Sequence, residues 1–89
     1  MQEPFPARQY DVRVPEYGGG DAAITLVNWL VEPGQNLIAG ERIAELLVDS
    51  CLIQLESEVN GELTQIQVPS SAKVETGQVI ASIKHDSND

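Results

Sequence analysis

Ser50 and Cys51 stand side by side, and each carries an atom able to accept or attack an acyl group. A serine nucleophile needs a base to take its proton. The one histidine, His85, lies near the C-terminal end, so Ser50 is read as a turn residue. A reactive cysteine needs a nearby positive charge to lower its pKa, and no Lys, Arg or His flanks Cys51. Cys51 is therefore expected to be a small, partly buried packing residue. Glu45, Asp49, Glu56, Glu58 and Glu62 form an acidic scatter whose spacing selects no metal; solvated strand faces are expected, and no metal site. Gly18-Gly19-Gly20-Asp21 has the composition of a phosphate cradle, but no strand-to-helix context follows it.

The chain around these residues is small. At 89 residues it makes one domain. A chain of that length has little room for a deep cleft, which favours a surface role over self-contained catalysis. The apolar fraction of 42% suits a packed core, and one Trp, one Phe and two Tyr leave that core to Val, Ile and Leu. A net charge of −9 repels phosphate backbones and anionic bilayers, so neither nucleic acid nor membrane is expected as a partner. A basic protein surface is the natural complement. One cysteine allows no internal disulfide, and no stretch has the form of a signal peptide or membrane span. A soluble, cytoplasmic chain is expected.

The elements that must position the Asp49-Ser50-Cys51 run read as strands. No long stretch repeats its apolar residues at helical spacing; short β-branched runs are broken by Gly, Pro, Asn and Ser. Val12–Val14, stopped by Pro15, Ile24 to Val31, Ile43 to Val48, Leu52 to Leu55, Leu63 to Val68 and Val79 to Ile83 are the predicted strands. Pro33-Gly34, Asn60-Gly61 and Ser70-Ser71 are the predicted turns. Residues 1–9 and 85–89 are expected to be disordered tails around a folded unit at 10–84.

The chain also repeats itself. A shift of 37 residues lays TLVNWLVEPGQNLIAGERIAEL over ELTQIQVPSSAKVETGQVIASI without a gap. Leu26 falls on Leu63, Val31 on Val68, Leu37 on Val74, Gly40 on Gly77, Ile43 on Ile80 and Ala44 on Ala81. Two copies of one β-unit, each with an apolar face it cannot hide alone, predict an all-β flattened barrel or sandwich of two four-stranded sheets about a pseudo-two-fold axis. The run Val48-Asp49-Ser50-Cys51 joins the copies, and Asp-Ser between apolar strands predicts a hairpin with a type I turn. The same symmetry places the chain ends far from that tip.

Val14-Pro15, Gly18, Trp29-Leu30-Val31, Gly34-Gln35, Asp49-Ser50-Cys51, Gly61 and Gly77, in this order and without insertion, resemble the biotinyl/lipoyl attachment family. The likeness is to the lipoyl domains of dihydrolipoyl acyltransferases in 2-oxo acid dehydrogenase complexes, and it covers Asp11 to about Lys84. The resemblance implies the barrel-sandwich hybrid fold. It implies that the hairpin position held here by Ser50 is where the family joins lipoate to a lysine. It further implies that Gly18, Gly19, Gly20, Asp21, Asp49, Ser50 and Cys51 form a partner-binding surface. The departure is Ser50 itself: an amide needs a primary amine, and a hydroxyl without a base is a poor substitute. The only lysines, Lys73 and Lys84, map to a turn in the second copy and to the last strand.

These readings lead to an unmodified binding or structural module without its own active site, related to 2-oxo acid dehydrogenase complexes, with no lipoate expected. The alternatives are a carrier modified at another lysine, Lys73 in particular, or a domain cut from a larger acyltransferase. A thiol enzyme acting through Cys51 is a further reading, opposed by size and by the missing base.

Overall fold

The computed structural model describes residues 7–17 and 21–86. All elements among them are strands: β1 (Ala7–Arg13), β2 (Ile24–Trp29), β3 (Asn36–Leu37), β4 (Arg42–Val48), β5 (Cys51–Glu56), β6 (Gly61–Ile66), β7 (Ala72–Val74) and β8 (Val79–Asp86). They form two four-stranded antiparallel sheets, ordered β1-β8-β6-β3 and β5-β4-β2-β7. The predicted all-β sandwich is therefore the observed architecture.

The internal repeat is the reason for the two sheets. Strands β2 and β6, 37 residues apart, occupy the same place in their sheets, as do β4 and β8. Each copy carries the same bulge, between Leu26 and Asn28 in one and between Leu63 and Gln65 in the other. The turns match bond for bond. The Gly34 amide donates to the Leu63 carbonyl, and the Ser71 amide donates to the Leu26 carbonyl, at 2.7 and 2.6 Å. These reciprocal bonds stitch each copy to the other sheet.

Period-two alternation turns one face of each sheet inward. The largest fully buried side chains are Leu26, Ile43 and Leu46 from one copy and Leu63, Ile80 and Ile83 from the other. They are symmetry mates, so the core is built from like pairs. Burying each such side chain is worth about 1.5–3 kcal/mol. Trp29 is half-buried against this core, and its indole Nε1 donates to the Val68 carbonyl at 2.9 Å. No buried side-chain nitrogen or oxygen among the described residues lacks a partner.

Several local expectations change. Two short strands, β3 and β7, add to the predicted set; at two or three residues each they carry no period that a sequence can show. Lys73 lies in β7, paired with Thr25, and not in a turn. Strand pairing reaches past the expected 10–84 limits: β1 starts at Ala7, and His85 and Asp86 belong to β8. Gly61 is no turn residue but the first residue of β6. A Cβ there would collide with the Lys84 carbonyl and come within 2.8 Å of Ile83 Cγ2, so only glycine lets β6 and β8 approach.

Candidate functional site

β4 and β5 pair from Arg42↔Glu56 to Val48↔Cys51, leaving Asp49 and Ser50 as a two-residue loop. Both have positive φ, 46° and 75°. That is the signature of a type I′ turn, correcting the type I expected; its twist matches that of the flanking strands. Asp tolerates the left-handed region better than most residues. Its side chain also finds work there. The Ala23 amide donates to Asp49 Oδ1 at 3.1 Å, and the Asp49 amide donates to the Ala23 carbonyl at 3.1 Å. The tip is thus tied to the segment that enters β2, directly after the glycine run.

Ser50 is exposed, and its hydroxyl makes no hydrogen bond to another described residue. Cys51 is exposed as well, which corrects the expectation of a partly buried packing residue. Asp21 is exposed on the approach to β2. Gly18, Gly19 and Gly20 lie outside the described residues. Among the predicted site residues, the structure therefore gathers Asp49, Ser50 and Cys51 at one tip and bonds that tip to Ala23, two residues past Asp21.

The other candidates lie elsewhere. His85 is in the opposite sheet, with its ring edge-on to Tyr10 at a centroid distance of 6.4 Å. The Tyr10 hydroxyl donates to Glu58 Oε1 at 2.6 Å, which places this cluster beyond the β4–β5 end that lies away from the tip. That bond, with burial and the Glu58 charge, pushes the Tyr10 phenol up to about 12. Burial likewise raises the Tyr17 phenol. Glu45, Asp49, Glu56, Glu58 and Glu62 do not converge: no three His, Cys, Asp or Glu among the described residues come together as a ligand set.

The sequence reading missed one pair. Leu47 and Leu52 face each other across β4 and β5 and are 39% and 60% exposed, one residue in from the turn on each strand. The signal was present in Leu46-Leu47-Val48, because three apolar residues in an alternating strand must put one of them in solvent.

The chain is thus a duplicated β-sandwich whose halves join at an exposed type I′ hairpin. A family model described as "Biotin-requiring enzyme", covering biotin- and lipoyl-bearing domains, matches residues 10–83, and the chain belongs to this biotin/lipoyl family. It is similar to the dihydrolipoyllysine-residue succinyltransferase component of the 2-oxoglutarate dehydrogenase complex of Bacillus subtilis, 30% identical over 82% of this chain and 18% of that protein. The same component of Staphylococcus saprophyticus is 33% identical over 82% of this chain and 17% of its own length. The dihydrolipoyllysine-residue acetyltransferase component of the pyruvate dehydrogenase complex of Zymomonas mobilis is 33% identical over 80% and 16%. The chain spans less than a fifth of the length of these relatives. No helix among the described residues is long and apolar enough to cross a membrane.

Proposed function

We propose that this chain is a lipoyl-type domain that carries no lipoate and works as a protein-binding module of a 2-oxo acid dehydrogenase type of assembly. The observation that carries this reading is the hairpin tip. Two residues, Asp49 and Ser50, fill the whole turn, and neither bears an amine. Lipoate and biotin each need a nitrogen nucleophile for their amide, so the residues present do not fit the group. The two lysines offer no replacement. Lys73 lies in β7, two strands from β4, and Lys84 lies in β8 of the other sheet. An amine on the face of a sheet is not presented on a turn as an attachment lysine is.

Without the cofactor, what remains of a carrier domain is its recognition surface: the tip and the segment bonded to it. Asp21 and Asp49 make that end acidic, which suits a basic protein surface and a soluble compartment such as the cytoplasm. No catalytic step is assigned to the chain itself, and relation to a larger acyltransferase is compatible with the relatives' greater length.

Intact mass of protein co-expressed with a lipoate ligase and lipoate tests this directly. The wild type is expected at its unmodified mass, while Ser50→Lys gains one lipoyl group. A lipoyl adduct on the wild type that disappears in Lys73→Arg would overturn the proposal in favour of a displaced attachment site.

A further inference from the structure

The pseudo-two-fold supplies an internal reference for surface positions on the strands, because each paired strand residue of one copy has a mate in the other that meets the same demands of the fold. Near the tip, the register aligns Leu52, Leu47, Thr25 and Lys73 across β5, β4, β2 and β7. The corresponding row of the other sheet is Gln9, Lys84, Glu62 and Asn36, across β1, β8, β6 and β3. Where one copy exposes two leucines, the other places an amide and an ammonium group. The fold is thus satisfied by polar residues here, and packing does not explain Leu47 and Leu52.

Adjacent exposed apolar side chains differ from single ones, which are common on any surface. Leu30 and Ile38 are also exposed, but each stands alone in a connection outside the strands. Leu47 and Leu52 are direct cross-strand neighbours, a pairing that holds Cβ atoms about 5 Å apart. The charges nearest them are negative: Glu45 follows Leu47 on the same outer face of β4, and Asp49 stands at the tip; Glu56, further along β5, is paired with exposed Arg42 at the far end of the ladder. The one cation of the row, Lys73, is at its far edge.

We infer that Leu47 and Leu52 form the apolar centre of a docking face for a protein partner that presents an apolar side chain ringed by lysine or arginine. This deepens the reading of the tip end as the partner-facing end and rests on it only for that orientation. An apolar centre inside a charged rim is the usual anatomy of a specific protein interface. Charge selects the occupant. A second copy of this chain at −9 would be repelled, as would an anionic bilayer.

The test is an amide chemical-shift titration of the isotope-labelled 89-residue chain. The probe is a short peptide with two leucines flanked by lysines, set beside a peptide in which serines replace those leucines at equal charge. The leucine peptide is expected to shift the amides of Leu47, Leu52, Gln54 and Thr25. Its affinity should fall at least tenfold in the charge-neutral pair Leu47→Gln and Leu52→Gln, and stay unchanged in Leu30→Gln with Ile38→Gln. Equal shifts with the serine peptide, undiminished affinity in the double variant, leucine-dependent dimerisation of the wild type, or leucine-dependent binding to phosphatidylserine vesicles would each overturn the inference. None of these outcomes depends on whether the wild type carries lipoate, so this test and the mass test fail separately.

Discussion

Asp49 and Ala23 are joined by two hydrogen bonds running in opposite directions, amide to carboxylate and amide to carbonyl, both 3.1 Å long. The pair clamps the hairpin tip onto the entry of β2. Both residues are exposed, so water competes for the bonds. Asp49→Ala is expected to cost about 0.5–1.5 kcal/mol in urea unfolding. It should also speed hydrogen exchange at the Ala23 amide, and Asp49→Asn, which keeps an oxygen and tolerates positive φ, should recover most of the loss. Unchanged exchange at Ala23 would show that the clamp does not hold the segment.

Gly34 and Ser71 occupy mate turns with φ of 95° and 74°. Nothing lies within 4 Å of a Cβ built on Gly34, so the backbone angle alone demands glycine there. Gly34→Ala is therefore expected to destabilise by about 1–2 kcal/mol, the cost of a left-handed residue. Ser71 already bears that strain, and Ser71→Gly should stabilise by up to about 1 kcal/mol, offset in part by the freer unfolded chain. Thermal melts of the two single variants should move in opposite directions. Movement in the same direction would mean that the turns are not equivalent.

Gly61 is needed for a different reason, the close approach of the Lys84 backbone. Gly61→Ala must push β6 from β8, at a cost of about 1–3 kcal/mol. Since β8 is the central partner of both β1 and β6, the loss should appear as exchange of amides throughout that sheet. Loss confined to the 57–60 connection would contradict the steric account.

Tyr10 ties folding to alkaline pH. Its folded pKa of about 12 exceeds the ordinary value of 10.0, so the folded chain holds the phenol proton more tightly than the unfolded one. The stabilisation is complete below pH 10 and is lost as pH climbs from 10 towards 12. Ultraviolet titration should show tyrosinate forming late at both tyrosines, and Tyr10→Phe should remove the Tyr10 share of that late step and lessen the alkaline loss of stability. Ionisation of Tyr10 at the ordinary value in the folded chain would show that the bond to Glu58 is not kept in solution.

Much of this fold is written in the spacing of Leu26, Gly40, Ile43 and their mates, because one shift of 37 residues carries β2, β3 and β4 onto β6, β7 and β8. The shift fails for β1 and β5. Their register against β8 and β4 makes Tyr10 the mate of Ile53, an offset of 43. The difference lies in the connections: ten residues, 14–23, lead from β1 to β2, but four, 57–60, lead from β5 to β6. The glycine-bearing loop is thus an extension one copy has and the other lacks, which an ungapped comparison could not reveal. At the site, the position of Ser50 was legible from its flanking strands. The turn type was not, because Asp and Ser serve both hands of turn, and β-strand twist makes the choice. Cys51 is exposed, against its expected burial, because the end of a hairpin overhangs the core it helps to cover.

Ala7 and Asp86 are partners in the same ladder, so the polypeptide enters and leaves the sandwich at neighbouring points. Both of those points lie at one pole of the sandwich. Asp49 and Ser50 ride at the other pole, so bulk added behind the Ala7–Asp86 pair leaves the hairpin tip clear.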